Sequence, residues 1–202
     1  MKSYVSSHLK DMNRRNVYKL LCGMEETSKS ELAHITGISP PTVMKIVQFL
    51  AERELVLEVG EGESPLGRKP QMLRLNKNRY YSIGVIHEGD YLKVGISNLK
   101  NEVLTLKKVR VQADFDQVMG ETLFQVINEL LVGSDIQLSN VLGIGLGIPG
   151  TYDVKREKVI MAPLIGLTQE TGISDVIRKV ESYYGKPCLL YTSPSPRDLS
   201  TS

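Results

Sequence analysis

"SKSELAHITGISPPTVMKIVQFL" (28–50) is the stretch on which the reading of this chain turns. Ser28 and Glu31 have the S-x-x-E spacing of a capping box, and Leu32, Ala33 and Ile35 follow as apolar positions. Gly37 then offers a helix stop that tolerates positive φ. Ser39 is a good N-cap, with Pro40 in the first helical position, where a missing N–H is no loss. Pro41 is tolerated at the second position for the same reason, because the first four N–H groups of a helix have no partner inside it. The two prolines therefore mark and stiffen a helix start. Beyond them Val43, Ile46, Val47 and Leu50 recur at helical spacing as a buried face, while Thr42, Lys45 and Gln48 are polar on another. Two helices joined by a three- to four-residue turn with glycine form the helix-turn-helix pattern, whose second helix enters the DNA major groove. A small helical bundle with a solvated face would show the same periodicity.

The flanks favour the first reading. Upstream, "DMNRRNVYKLLCGM" (11–24) places Val17, Leu20, Leu21 and Met24 at helical spacing. Downstream, "ELVLEVGEGESPLGRKPQMLRLN" (54–76) reads as strand, loop, strand. Leu55, Leu57 and Val59 alternate in the first strand, and Leu73 and Leu75 alternate with Met72, Arg74 and Asn76 in the second. A hairpin after a helix-turn-helix is a wing. Its tip carries Arg68 and Lys69 between Gly67 and Pro70, cations suited to phosphates or the minor groove. Residues 1–77 hold 12 Lys+Arg against 9 Asp+Glu, net +3, and residues 78–187 hold 12 against 13, net −1. That asymmetry is small, but it puts the excess of positive charge at the end that the helices assign to DNA.

From Tyr80 the pattern changes. "YYSIGVI", "LKVGISNL" and "EVLTLKKVRVQ" are three strands of a meander, and residues 115–134 have the apolar spacing of a helix. "VLGIGLGIPG" (141–150) is a buried strand ending in a glycine-proline turn, "GISDVIRKVESYYG" is a further helix, and "KPCLL" starts as a new strand would. Cys22 and Cys188 fit no metal or disulfide spacing. The sequence has no run of about 18 apolar residues and no signal-like N-terminus, so a cytoplasmic protein is expected.

The run from about residue 12 to 76, with its T-G-I-S start before the prolines and its G-R-K-P loop, resembles the winged helix-turn-helix of ROK-family repressors (repressors, open reading frames, sugar kinases). The segment "IGLGIPGTYDVKREKVIMAPLIGL" (144–167) is similar to the family's G-x-P-G-x-x-D stretch with its following A-P-x-L-G loop, matching at Pro149, Gly150 and Asp153. The resemblance implies an α+β chain of two domains. Residues 1–76 would be the winged helix-turn-helix, and residues 77–187 part of an actin-like (ribonuclease H-like) α/β lobe. DNA contacts would come from Ser39, Pro41, Thr42, Lys45, Arg68 and Lys69. Pro149, Gly150 and Leu164 would border a sugar effector. Asp153 is expected to cap the loop after Gly150 rather than act as a base.

The first hairpin of that lobe departs from the family's kinases. They carry D-x-G-G-T, where this chain has "IHEGD" (86–90), with Ile86 in the aspartate position, Glu88 for a glycine and Asp90 for the threonine. His87, Glu88 and Asp90 are expected in a solvated turn. The resemblance thus implies a repressor of sugar genes without catalytic residues, metal or cofactor. Its partners would be a double-stranded DNA operator, a sugar or sugar-derivative effector, and a second copy in the intact homodimer. A sugar kinase and a winged helix that binds protein are the alternatives. The tail "CLLYTSPSPRDLSTS" (188–202) is similar to one reading frame of a sequencing adapter, so the fold is expected to end near Pro187, with 188–202 non-native or disordered.

Overall fold

The structure is a computed structural model that describes residues 2–62, 69–112, 114–153 and 155–193, the side chains of 2–7 and 193 excepted. The chain divides into two compact units between Arg79 and Tyr80, three residues beyond the expected boundary.

In the first unit, α1 (Lys2–Gly23), α2 (Lys29–Thr36) and α3 (Pro40–Ala51) accompany a three-stranded antiparallel sheet. The sheet has the order β1 (Thr27–Ser28), β3 (Gln71–Leu75), β2 (Val56–Glu61). α1 begins about nine residues before the helix read from periodicity. The core is Val17, Leu21, Leu32, Val43, Ile46, Val47, Leu50, Val56, Leu73 and Leu75, so the apolar face read for α3 is the buried one. Ser28 caps α2 by accepting from the Glu31 N–H at 3.2 Å. The Glu31 carboxylate takes the Thr27 hydroxyl at 2.9 Å instead of completing the box. Gly37, at φ 67°, closes the helix by donating to the Ala33 carbonyl. The Phe49 ring lies between two guanidinium groups, Arg14 at 3.5 Å and Arg53 at 3.6 Å from its centroid, which ties α1 to α3.

β2 is read one residue out of phase by simple alternation. Val56 faces the core, whereas Leu57 is 40% exposed. Glu54, at φ 56°, turns the chain before the strand, and the register slips between Glu58 and Gly60. A bulge of this kind shifts which residues face inward, and no periodicity foretells it.

The second unit is a five-stranded mixed sheet of order β11-β7-β4-β5-β6. β4 (Tyr81–Glu88), β5 (Tyr91–Asn98) and β6 (Val103–Arg110) form the antiparallel meander. β7 (Val141–Pro149) lies parallel to β4, and β11 (Cys188–Ser193) parallel to β7. The residues 188–193, expected outside the fold, are therefore paired backbone of this sheet; residues 194–202 lie outside the described residues.

One face of the sheet presents Ile83, Val85, Leu92, Val94, Ile96, Ile144, Leu146 and Ile148. They share a core with α4 (Phe115–Gln117), a π-helical turn over Val118–Thr122, α5 (Leu123–Ser134) and α6 (Ser174–Tyr184). The Tyr184 hydroxyl reaches the Phe124 carbonyl at 3.3 Å and the Asn128 amide oxygen at 3.2 Å, pinning α6 to α5. The opposite face carries Gly84, Gly95, Gly143, Gly145 and Gly147, with Leu106, Leu189 and Tyr191 each more than half exposed. Between β7 and α6 lies a small antiparallel sheet that sequence reading took as loop: β8 (Thr151–Asp153), β9 (Lys158–Met161) and β10 (Thr171–Gly172). Gly150, at φ 150°, lets the chain pass close to β9, because a Cβ there would stand 2.4 Å from the Met161 carbonyl oxygen.

Candidate nucleic-acid interface and ligand cleft

α3 buries Val43, Ile46, Val47 and Leu50, which leaves Pro41, Lys45, Gln48 and Glu52 in a row on the far side, all exposed. Lys45 stands in the middle of that row without an ion-pair partner among the described residues, and the Gln48 amide donates to Glu52 at 3.2 Å. Thr42, expected beside Lys45, sits on the flank instead, half-buried, with its hydroxyl 2.9 Å from that of Ser39.

Ser39 holds the N-cap position but makes no side-chain capping bond. The prolines explain this. The N–H groups an N-cap side chain would take belong to the second and third helical residues. Pro41 has none, and the Thr42 N–H already donates to the Ser39 carbonyl at 2.9 Å, as Val43 does at 3.0 Å. The hydroxyl turns to Thr42 instead, and none of the first four helical residues, Pro40 to Val43, has an unengaged amide. Beside it Met44, 56% exposed, and the prolines line an apolar hollow between α2 and α3 that also touches Lys29 and His34. Met44 was missed because a lone apolar residue on a polar face carries no periodic signal. On the β2–β3 loop Lys69 is exposed; Arg68 lies outside the described residues.

In the second unit a cleft of about 500 Å³ opens where the β4–β5 hairpin, the entry to α4 and the 164–171 loop meet. Of the three residues expected at an effector, Leu164 lines it, and Pro149 and Gly150 do not. Asp153 accepts the Lys155 and Arg156 N–H groups at 2.9 and 3.2 Å, closing the β8–β9 turn as expected. The hairpin tip differs from its expected solvated form. Glu88 and Asp90 are exposed, tied to Lys93 at 2.6 Å and Arg110 at 3.7 Å, but His87 is only 3% exposed. Alternation sends His87 to the same face as Ile83 and Val85, where its ring stacks on Phe115. Its Nδ1 is buried without a hydrogen-bond partner among the described residues. Burial pulls its pKa below the usual 6.5, which favours the neutral imidazole. Sequence reading also missed Asp114 and Asp116, which line the same cleft from the start of α4. Among the described residues no group of three or more His, Cys, Asp or Glu is placed to hold a metal ion. Cys22 and Cys188 are both free, and burial with the nearby Glu181 pushes the Cys188 thiol up to about 11.

No family model matches the chain. It is 27% identical over 155 residues to the xylose repressor of Bacillus spizizenii, covering 77% of this chain and 40% of that one. It is 24% identical over 157 residues to the DNA-binding transcriptional dual regulator NagC of Escherichia coli K12, covering 78% and 39%. The crystal structure of a ROK family transcriptional regulator, a homologue of the E. coli MLC protein, superposes with a TM-score of 0.69 at 23% identity. That match takes in 92% of this chain and 46% of the other, across both units. By sequence the chain is thus similar to these repressors, and it shares the fold of that regulator. It spans about two fifths of the length of the curated relatives it matches. In the hairpin stretch 86–90, Ile86 is half exposed on the opposite face of β4 from His87. No helix among the described residues is long and apolar enough to cross a membrane.

Proposed function

We propose that the chain is the N-terminal part of a sugar-responsive, DNA-binding transcriptional repressor. Met1–Arg79 is its winged helix-turn-helix, with α3 as recognition helix and the β2–β3 hairpin as wing. The second unit is the first part of an actin-like ROK lobe that senses a sugar. The observation that carries this reading is the row on α3: Lys45 stands exposed, with no ion-pair partner among the described residues, on a helix whose other side is committed to the core. The likeness to named repressors supports it. Lys45 reads a base edge, Ser39 and Thr42 flank it, Pro41 meets the groove wall, and Arg68 and Lys69 take phosphates or the minor groove. Since residues 40–43 have no unengaged amide, phosphate contacts fall mainly to side chains rather than to the first turn of the helix. The effector enters beside Leu164, and the intact protein acts as a homodimer in the cytoplasm.

The same chain transfers no phosphoryl group. Such chemistry needs a phosphate cradle and carboxylates that hold a metal, whereas the hairpin offers an isoleucine, Ile86, where the family's kinases have the aspartate, and the carboxylates of Glu88 and Asp90 at its tip. The test is selection from a random duplex pool, followed by binding of the selected site at two salt concentrations. A steep log–log salt slope with sequence preference is expected. Absence of both would leave the protein-binding alternative standing. Turnover of ATP with magnesium and a sugar panel, lost on Asp153→Asn, would restore the kinase.

A further inference from the structure

We propose that Met44 is a specificity-determining residue of α3, and that it selects thymine by seating the base's 5-methyl group in the major groove. This rests on reading α3 as a recognition helix, and it adds which base the apolar part of that helix chooses.

Geometry puts Met44 on the reading surface. Pro41, Met44, Lys45 and Gln48 stand at i, i+3, i+4 and i+7, the spacing of neighbours on one helical face, and all four are exposed. Met44 borders the hollow shared with α2, and Lys45 stands on the other side of the line from Pro41 to Gln48. Core packing does not account for Met44. The helix packs through Val43, Ile46, Val47 and Leu50, while Met44 keeps 56% of its surface open.

The surroundings of Met44 are apolar and carry no negative charge. Ile38, Pro40 and Pro41 line the hollow with it, Lys29 and His34 stand at its edge, and no carboxylate is among its described lining residues. Lys29 is shared with Glu58 at 3.3 Å, and Glu58 lies outside that lining. A surface of this charge is complementary to a polyanionic duplex, and Lys45 next to Met44 adds to it. Phosphate is nevertheless not what the helix start itself can take. Its prolines have no N–H, and the Thr42 and Val43 amides donate to the Ser39 carbonyl. What this end of α3 presents to a groove is carbon and sulfur.

The major-groove edges of the base pairs offer donors, acceptors and one methyl group, that of thymine. An unbranched, polarizable methionine adapts readily to a small apolar partner. Set against the amino group of cytosine or adenine, the same side chain would displace water and supply no strong acceptor, which costs binding. Met44 therefore favours thymine both by what it gains there and by what it loses elsewhere.

The test uses the full chain and a duplex selected from a random pool, with binding read by fluorescence anisotropy. Each thymine of the selected site is replaced in turn by deoxyuridine, which removes only the 5-methyl group. At one position or more the wild-type chain should bind about three- to fivefold more weakly, the worth of one buried methyl group. Met44→Ala should bind the thymine and uracil duplexes at that position equally, and Met44→Leu, which keeps an apolar side chain, should retain the difference. Because methionine carries no charge, both variants should keep the wild-type salt slope. A methyl preference lost at constant slope is a readout that general damage to the helix would not give. A selected site without thymine, no position sensitive to uracil, or a sensitivity that survives Met44→Ala would each overturn the inference. In those three cases salt-dependent duplex binding leaves the repressor reading standing, whereas failure to select any duplex defeats both.

Discussion

In the first unit the groups open to a partner stand on a convex helix; in the second they line a hollow assembled from three distant segments. Lys45 is available because α3 has committed Val43, Ile46, Val47 and Leu50 to the core, so one turn of helix determines both what is hidden and what is shown. His87, Asp114 and Leu164 meet only because β4, the start of α4 and the 163–165 turn converge. The contrast teaches that a projecting reader is a local property of the chain, whereas a receiving cleft is a tertiary one. It also predicts that damage to the second fold should spare the first unit's reader while abolishing the cleft.

The sharpest break of that contrast is Leu146→Ala, at the centre of β7 and fully buried. It should destabilise the second unit by about 2–5 kcal/mol. Hydrogen exchange read unit by unit should show β4, β5 and β7 losing protection while α2 and α3 keep theirs. Equal loss in both would mean that the units do not fold separately. Next in size, Lys45→Ala should cost about 1–3 kcal/mol of binding to a selected duplex and relax one base position. Thr42→Ala, on the flank, should cost less than Lys45→Ala in the same assay; the reverse order would move the reading face. Replacing Arg68 and Lys69 together with alanine should weaken all duplexes about equally and reduce the salt slope by about 1–2. If the slope is unchanged, the loop is not at the DNA.

The smallest effect concerns pH. His87 has a folded pKa below its unfolded value of 6.5, so protonation favours the unfolded chain. Its contribution is therefore complete above pH 6.5 and is lost as the pH falls through the lowered folded value. Asp90, Asp114 and Asp116 share its cleft, and Glu88, held below the usual carboxylate range mainly by its hydrogen bond and charge interaction with Lys93, adds sensitivity only at lower pH. Chemical denaturation between pH 7 and 5 should show the second unit weakening, with the slope flattened in His87→Leu. An identical slope in that variant would assign the acid sensitivity elsewhere.

What the sequence disclosed follows the same division. The capping spacing of Ser28 and Glu31, the stop at Gly37, and the α3 face were legible because each is set within about two turns of helix. The order of meander, helix, strand, helix and strand was legible from runs long enough to carry a period. The phase of β2 was not, because Glu54 and the Glu58–Gly60 slip reset it locally. The strands β8, β9 and β10 were not, because two to four residues carry no period. The polar look of "IHEGD" concealed that alternation continues through it and drives one histidine inward. The cap role of Ser39 failed for a different reason: the rule was sound, but Pro41 lacks one of the two donors that the cap would serve, and the Ser39 carbonyl takes the other, on Thr42.

Those prolines also govern how the interface can be watched. Pro40 and Pro41 bear no amide proton, and the next two amides, on Thr42 and Val43, are both held by the Ser39 carbonyl. A titration followed through backbone N–H signals would be blank at residues 40 and 41, beside the exposed row of α3. The Met44 ε-methyl, carried on a residue 56% exposed in the adjoining hollow, is the natural reporter there. Selective methyl labelling would turn an apolar residue that the periodic reading passed over into the spectroscopic probe of the helix start.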